Sequence, residues 1–296
     1  PGTFLLVSIG YFLERKETLR EIDLVGIDSD EGFLRVAEEL ARGFAKETLS
    51  GTAVRLSLLR RDLVESLPAE AGTGFDLIVA GNTLSEGFSD PAKAAGWLDS
   101  LANYLRPEGA LVVIEPALKR TGRFLQQSRD ALLALPGRRL HVFAPCLHEG
   151  PCPALARAGD WCHERVPWNP PKALEEIDRA AGLDKDTLTF SYLVLRLSSR
   201  SLKDVFKTPS KGLHRGRVVS DALPEKGKEG RVVCTEEGRW VHYEALERGT
   251  AAAARRLAAL GRGEVALFPA GRPAGPRMRL APDEAPERLE APVGDD

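Results

Sequence analysis

The chain has 296 residues, of which 43% are hydrophobic and 28% are charged, and its formal net charge is −2. This composition is typical of a folded globular protein with room for one large domain and a smaller one. A net charge of −2 excludes a protein that binds nucleic acid through its overall charge. No apolar run reaches the roughly 18 residues of a membrane-spanning helix.

The first residues are apolar but do not resemble a targeting segment. PGTFLLVSIG lacks the basic lead and the small-residue cleavage site of a signal peptide. The chain also begins without methionine, so we expect it to start inside a longer gene product. The apolar run 4–10 ends in glycine and predicts a first buried strand.

Residues 1–120 alternate between apolar runs and segments with helical periodicity. After residue 30, one helical face carries Phe33, Val36, Leu40 and Phe44. The predicted strands are 4–10, 23–30, 53–62, 75–87 and 110–116. Strands that alternate with helices are parallel and have right-handed crossovers. The sequence therefore predicts an α/β fold with a doubly wound sheet.

Polar residues follow several of these strands, at the edge where an open α/β sheet binds ligands. They are Gly10, Asp28, Asp30, Asp62 and the segment from Asn82 to Glu86. Asp28 lies 18 residues after Gly10, close to the spacing at which an acid binds ribose hydroxyls.

The five predicted strands, with RPEG leading into the fifth, resemble the class I S-adenosylmethionine (SAM)-dependent methyltransferase fold over about residues 1–120. The resemblance implies SAM as a cofactor, bound by Gly10, Asp28, Asp62 and Asn82. Asp28 would hold the ribose and Asp62 the adenine side, while Asn82 or Glu86 would face the methyl acceptor.

The first turn departs from that pattern. It reads SIGYFLER, in which Phe12 and Glu14 stand where further glycines are expected. The SAM site is therefore either weakened or lost. In the alternative reading, Asp28 and Asp62 are solvated acids that cap the strand ends.

Three of the four cysteines fall in one segment, 143–164, which we call the cysteine loop. Cys146, Cys152 and Cys162 are followed by Cys234, 72 residues beyond the third. Thiolates are soft ligands that suit Zn²⁺ or an iron–sulfur cluster, and the close cysteine pairs of zinc ribbons are absent from the sequence. His148 and His163 either replace a thiolate in a zinc site or lie beside the metal. Four unrelated buried thiols are the remaining alternative.

Several motifs resemble the ribosomal small-subunit methyltransferase-like family, which comprises mitochondrial methyltransferase-like protein seventeen and its bacterial relatives. The motifs are TLSEG, IEPALKRTGRFLQQSRDALL, APCLHEGPCPAL, GDWCHE, FSYLVL and VVC, within about residues 75–245. The resemblance implies a [4Fe–4S] cluster held by Cys146, Cys152, Cys162 and Cys234. It also implies the ribosomal small subunit and its 16S-type RNA as partners, with no membrane or DNA. The expected location is the cytoplasm in bacteria or the mitochondrial matrix in eukaryotes.

The segment from Arg200 to Arg231 is basic, with nine Lys and Arg against four Asp and Glu. Such cations neutralise RNA phosphates, and Trp240 and Tyr243 offer rings that stack on unpaired bases. The alternative is a solvated surface with Trp240 in the core. Lys203 and Lys207 belong to this basic stretch. The residues predicted to contact RNA are Lys211, Arg215, Arg217, Lys226, Lys228 and Arg231.

Together these patterns predict a methyltransferase-like domain over 1–199 with a cysteine-rich metal-binding insertion. A basic β module follows over 200–280 and contributes Cys234, and 281–296 is an acidic, disordered tail. The predicted function is binding of small-subunit ribosomal RNA in ribosome assembly or translation. An active SAM-dependent rRNA methyltransferase and an iron or redox sensor are the alternatives.

Overall fold

A computed structural model describes residues 2–15, 20–48, 51–63, 71–183, 185–206, 209–247 and 252–290. The chain divides into two compact units. The first comprises Pro1–Phe75 with Glu86–Phe88, and the second comprises Asp76–Ser85 with Ser89–Asp296.

The first unit is a strand–helix–strand motif preceded by a helix. Its elements are α1 (Thr3–Arg15), β1 (Glu21–Asp28), α2 (Glu31–Thr48) and β2 (Ala53–Arg60). The two strands pair in parallel from Glu21 opposite Ala53 to Asp28 opposite Arg60. Its core lies where Ile9 of α1 packs with Leu24 of β1.

The strand predicted at 4–10 is wrong, because these residues lie inside α1. A short apolar run has no alternation that separates a buried strand from a buried helix. Leu5, Ile9 and Leu13 recur every four residues, so they share one face of α1, and all three belong to the core around Leu24. The apolar residues of this run therefore have the spacing of a helix, although the run by itself is also compatible with a buried strand.

The apolar face predicted for α2 is confirmed only at Phe44, which packs against the core of the first unit. Phe33, Val36 and Leu40 are exposed by 51%, 42% and 45%. The buried side chains of the helix are those of Leu34, Ala37 and Ala41. Each directly follows one of the three exposed residues and is smaller than it.

The second unit begins with a five-stranded sheet. Its strands are β3 (Phe75–Gly81), β4 (Leu105–Pro116), β5 (His141–Ala144), β6 (Glu164–Pro167) and β7 (Thr187–Arg196). The order is β3-β4-β7-β5, and β6 pairs with β7 beyond that path. β7 is antiparallel to β4, β5 and β6. The helices that accompany these strands are α3 (Leu84–Gly87), α4 (Pro91–Ser100), α5 (Lys119–Leu133) and α6 (Lys172–Ala180).

The observed architecture is therefore α/β with mixed sheets. The single doubly wound parallel sheet predicted from the sequence is not found in the described residues, where β1 and β2 form a sheet of their own. Apolar strand runs reveal that a strand is buried, but not its partner or its direction. The alternation of strands and helices did not indicate the antiparallel direction of β7.

A seven-stranded sheet makes up the rest of the second unit. The β module, predicted over 200–280, hereafter means the described residues 209–247 and 252–290. Its elements are β8 (Leu213–Val218), β9 (Lys228–Thr235), β10 (Trp240–Leu246), α7 (Ala252–Ala258), β11 (Val265–Pro269), β12 (Arg272–Ala274), β13 (Arg277–Arg279) and β14 (Glu287–Arg288). The strand order is β12-β13-β10-β9-β8-β11-β14. Val218, Val233, Tyr243, Leu257 and Phe268 form the centre of its core.

Part of the predicted C-terminal tail is ordered, since Glu287–Arg288 pairs with β11. Residues 291–296 lie outside the described part of the chain. Among the described helices, none has both the length and the apolar character needed to cross a bilayer.

Candidate metal centre

One cavity of the second unit is lined by all four cysteines. Cys146 follows β5, Cys152 and Cys162 lie between β5 and β6, and Cys234 lies on β9. All four are half-buried free thiols. The cavity measures about 40 Å³, and Trp240 and Tyr192 also line it. Cysteines distant in sequence thus meet at one place.

The cysteine loop is tied to α5 and β7 through its backbone. Gln126 of α5 donates to the Cys162 carbonyl at 2.8 Å, and Ser191 of β7 donates to the same oxygen at 2.9 Å. The Cys152 amide donates to Asp130 at 2.9 Å. Since these partners lie on regular elements, they fix the positions of two of the cysteines.

A glycine allows the loop to approach α5 closely. A Cβ atom on Gly122 would lie 2.9 Å from both Ser191 Oγ and Trp161 Cδ1. The Trp161 indole in turn donates to the Ala117 carbonyl at 2.9 Å. Only glycine leaves room at this point of α5 for the residue next to Cys162.

The β module reaches the cavity through β9 and the turn after it. His148 Nε2 lies 3.6 Å from Cys234 Sγ. Gly238 has φ +77°, and a Cβ atom there would approach the His148 ring to 3.1 Å. Arg262 donates to the His163 carbonyl at 3.3 Å and to the Val219 carbonyl at 2.6 Å. These contacts connect the module to both ends of the cysteine loop.

Burial disfavours the thiolate forms of Cys152 and Cys234 in the absence of a cation. Burial, followed by the neighbouring Cys146 and Cys162, raises the pKa of Cys152 to about 12. The same causes raise the pKa of Cys234 further, and Arg217 opposes the rise. Burial also raises the pKa of Tyr192 to about 12. Four thiolates in this cavity therefore need nearby positive charge.

Two buried guanidinium groups provide part of that charge. Arg129 is 1% exposed and donates to the His148 carbonyl at 2.7 Å, the Gly150 carbonyl at 2.9 Å and Asp130 at 2.6 Å. Burial opposes the charge of Arg129, but Cys146, Cys152 and Asp130 hold its pKa above the usual value.

The second guanidinium belongs to Arg217 of β8. It is 4% exposed, and its Nη1 lies 3.6 Å from Cys162 Sγ. Arg217 also forms a buried ion pair with Glu164. The sequence predicted Arg217 to be an RNA contact, and it gave no sign that Arg129 or Glu164 belongs to the cysteine site.

Both histidines of the cysteine loop line the cavity. Burial, followed by Arg129, lowers the pKa of His148 to about 4, so this ring is neutral near pH 7. Burial and then Arg262 lower the pKa of His163, whose ring stacks on Trp161. A neutral imidazole is the form that binds metals.

Within the described ranges, no group of three or more His, Cys, Asp or Glu side chains is arranged to hold a metal ion. A zinc ion needs its thiolates at about 2.3 Å, whereas the irons of a cubane cluster each take one thiolate and so hold them further apart. The shared cavity is an observation, and the metal-binding role of the four cysteines stays a prediction.

The residues predicted to bind SAM are divided between the two units. Gly10 lies within α1, so the prediction of a turn at this glycine is wrong. Asp28 ends β1 and accepts from the Asp30 amide at 2.9 Å, and Asp30 accepts from the Phe33 amide at 2.9 Å. Asp62 is exposed beyond β2. Asp28 and Asp30 thus accept hydrogen bonds from backbone amides at the start of α2 and just before it.

Asn82 belongs to the second unit and follows β3. Its φ of 57° is left-handed, and its amide donates to the Ile114 carbonyl at 2.8 Å. The fully buried Glu115 accepts from the Leu84 amide at 2.8 Å and from the Ser85 hydroxyl at 2.5 Å. Glu115 was not predicted as a site residue, although an acid at the end of an apolar strand was a visible signal.

The predicted RNA contacts differ in exposure. Lys211 and Lys226 are exposed. Arg215 pairs with Glu236 at 3.1 Å, and Lys228 pairs with Glu244 at 3.5 Å.

The other predicted contacts are inside the protein or outside the described part. Arg217 and Arg231 are each 4% exposed, and Arg231 donates to the Leu260 carbonyl at 2.9 Å. Lys207 lies outside the described residues. The expectation that Tyr243 stacks on RNA bases is wrong, because this ring is 1% exposed and its hydroxyl bonds to His214 at 2.7 Å.

Residues 10–250 match the model of one protein family, Rsm22, described as the mitochondrial small ribosomal subunit protein Rsm22. No curated protein is similar enough to this chain to count as a match.

Solved methyltransferase structures show a weak likeness. A putative methyltransferase from Thermoplasma acidophilum is 13% identical with a TM-score of 0.36, over 65% of this chain and 76% of the other. A SAM-dependent methyltransferase from Methanosarcina mazei is 10% identical with a TM-score of 0.35, over 65% and 97%. A methyltransferase from Pyrococcus furiosus is 13% identical with a TM-score of 0.33, over 64% and 81%. Likenesses this distant carry no argument about function.

Proposed function

The chain belongs to the Rsm22 family of the mitochondrial small ribosomal subunit, and we propose that it is a methyltransferase-like factor acting on that subunit. In this proposal it binds small-subunit ribosomal RNA during ribosome assembly or translation, and its four cysteines hold a [4Fe–4S] cluster. One observation carries the proposal: a single cavity is lined by Cys146, Cys152, Cys162 and Cys234.

The chemistry of the cavity suits an iron–sulfur cluster. Its sulfur donors are four thiols, the ligand set of a cubane cluster. Because burial raises the pKa of Cys152 and Cys234, the thiolates need a cationic core. Arg129 and Arg217 supply further positive charge at the cavity wall. Zn²⁺ is the alternative metal, with His148 or His163 in place of one thiolate.

The cysteines would then fix the β module to the cysteine loop. A [4Fe–4S] cluster, when bound, supplies a rigid link among four thiolates and a one-electron redox couple. Cys234 brings β9 to the cavity, while Gln126 and Ser191 hold the carbonyl of Cys162. The protein's own contribution is a loop whose backbone is held by hydrogen bonds from α5 and β7.

The exposed lysines of the β module are the proposed RNA contacts. Lys211 precedes β8 and Lys226 lies between β8 and β9, and both ammonium groups are at the surface. Lysines of this kind neutralise phosphates without reading sequence, which gives affinity that falls steeply with salt.

A second candidate function is SAM-dependent methylation of ribosomal RNA. Asn82 favours it, because a non-glycine residue held at φ 57° directly after a strand is typical of functional loops. Asp28, at the carboxyl end of β1, is the proposed ribose ligand. Calorimetric titration with SAM decides this candidate: heat that Asp28→Ala abolishes supports it, and no heat at millimolar SAM overturns it.

The proposed location follows the family, with the mitochondrial matrix for a eukaryotic chain and the cytoplasm for a bacterial one. A sensor role is a further alternative, in which loss of the cluster releases RNA. It requires that the metal-free protein, while still folded, binds an rRNA fragment more weakly than the loaded protein. Equal affinities rule it out.

Iron and sulfide analysis of anaerobically purified protein tests the cluster. We expect about four irons per chain and broad visible absorption. Cys162→Ser should lose both, while Ser210→Ala, an exposed serine of the same chain, should keep both. Stoichiometric zinc without iron in the wild-type protein would overturn the cluster assignment.

A further inference from the structure

Arg217 occupies an unusual position for an arginine. It lies on β8 directly opposite Cys234 of β9, so the two side chains share one face of the sheet. Its guanidinium is buried, and Nη1 lies 3.6 Å from Cys162 Sγ. One side chain therefore lies beside a cysteine of the loop and a cysteine of the β module.

Among the described residues that line the cavity, one buried carboxylate pairs with this guanidinium but leaves Nη1 beside the sulfur. Glu164, 7% exposed, pairs with Arg217 through the other guanidinium nitrogen. Glu164 is itself confined, since a Cβ atom on Gly263, whose φ is +88°, would lie 2.8 Å from its Oε2. Burying such a pair costs desolvation energy, so it contributes little to stability. What the pair achieves is to fix the Nη1 donor of Arg217 against sulfur.

We propose that Arg217 is a positioning residue of the cysteine site, which acts through the Cys162 sulfur to stabilise the negatively charged, metal-bound form. The proposal rests on the proposed function, because it takes the four cysteines as metal ligands. Hydrogen bonds and positive charge at the sulfur are among the factors that set the reduction potential of an iron–sulfur cluster.

The direction of the effect follows from charge. When a one-electron donor such as dithionite reduces the loaded site, the site gains one negative charge and no proton or other group moves. Nη1 of Arg217 donates to a sulfur that carries part of that added charge, so this hydrogen bond raises the potential. Its removal should lower the reduced fraction at a fixed electrode potential.

Arg129 acts in a different way. Its guanidinium donates hydrogen bonds to the carbonyls of His148 and Gly150 and to Asp130. Arg129 therefore holds the shape of the loop, and its loss would disturb the fold. Arg231 is the better control, because it is as buried as Arg217, belongs to the same sheet and donates to the carbonyls of Leu260 and Ala258 instead of sulfur.

The test compares four variants in redox titrations of anaerobically reconstituted protein, followed by electron paramagnetic resonance. Arg217→Met is combined with Glu164→Gln, so that no lone carboxylate stays buried. At the wild-type midpoint, we expect the double variant to contain roughly tenfold less reduced relative to oxidised cluster, a shift of about 59 mV for one electron. Arg217→Lys, which keeps the charge, should recover part of the shift. Glu164→Gln alone and Arg231→Lys should not lower the potential.

Each outcome decides the proposal. A double variant with the wild-type potential and iron content overturns it. If the wild-type protein carries zinc and no iron, the cluster assignment fails, and Arg217 is tested by zinc affinity against a chelator. The double variant should then bind zinc roughly tenfold more weakly, and equal affinity overturns the proposal. If wild-type protein binds neither metal, both the proposed function and the role of Arg217 fail.

Discussion

Cys234 and His148 face each other across the cavity, with His148 Nε2 3.6 Å from Cys234 Sγ. One residue belongs to β9 and the other to the cysteine loop, so this contact joins segments 86 residues apart in the chain. With Arg217 beside Cys162, it links the β module to the loop through side chains that also line the cavity.

Cys234→Ser should loosen two distant segments together. If Cys234 is a metal ligand, its loss frees both 140–165 and 213–245, and amide hydrogen exchange should accelerate in both. Ser210→Ala serves as the control and should leave exchange unchanged. Faster exchange in only one segment would show that the two are not held together through the cysteines.

Gly216→Ala should destabilise the β module. A Cβ atom at this position collides with Cγ1 of Val233 and lies 3.2 Å from the ring of Phe268. Overpacking of this kind costs about 1–3 kcal/mol, which denaturant unfolding would measure as a lower midpoint. Gly96→Ala in α4 meets no atom within 4 Å and should not be destabilising.

Gly10→Ala should stabilise the protein. Gly10 lies in α1, and a Cβ atom there meets nothing within 4 Å. In a helix interior, alanine is favoured over glycine by about 0.5–1 kcal/mol, so the unfolding free energy should rise by that amount. A loss of stability would instead support the turn predicted from the sequence.

Lys211→Ala combined with Lys226→Ala should weaken binding to a small-subunit rRNA fragment. Each lost phosphate contact reduces the slope of log affinity against log salt by about one. Filter binding between 50 and 200 mM salt measures that slope. Lys93→Ala, an exposed lysine of α4, is the control. An unchanged slope in the double variant would place the RNA contacts elsewhere.

Stability should fall as the pH drops below about 6.5, and His214 should account for part of the loss. Burial lowers the pKa of His214, and its Nε2 lies 2.7 Å from the Tyr243 hydroxyl. The unfolded chain then binds the proton more readily, so the contribution is present above the unfolded pKa and is lost through the folded one. His214→Gln should show a smaller difference in unfolding free energy between pH 7 and pH 5. An equal difference would assign the loss to other groups.

The sequence located individual elements better than their arrangement. The strands predicted at 23–30 and 53–62 correspond to β1 and β2, since their apolar residues and turns are local signals. The antiparallel direction of β7 depends on distant partners and left no local mark. In α1, the apolar run 4–10 was compatible with either structure, and the packing of Ile9 against Leu24 gives the helix.

The sequence pointed to the four cysteines of the candidate site but not to the buried charged residues around them. Cysteine is rare in this chain, so four of them stand out, and their spacing suggested soft ligands. Arginine is common, and nothing local separates a buried Arg217 or Arg231 from an exposed cation. Both were therefore read as RNA contacts, although their neighbours are Cys162 and the Leu260 carbonyl.

The pairing of Arg217 with Cys234 makes the cavity sensitive to how β8 and β9 align. Side chains alternate between the two faces of a strand, so an offset of one residue in β9 would turn Cys234 away from the other three thiols. A misaligned module could then supply neither the fourth sulfur nor a well-placed guanidinium. If the four cysteines bind a metal, loading would require this register, and metal-free protein should be enriched in molecules in which β8 and β9 are misaligned.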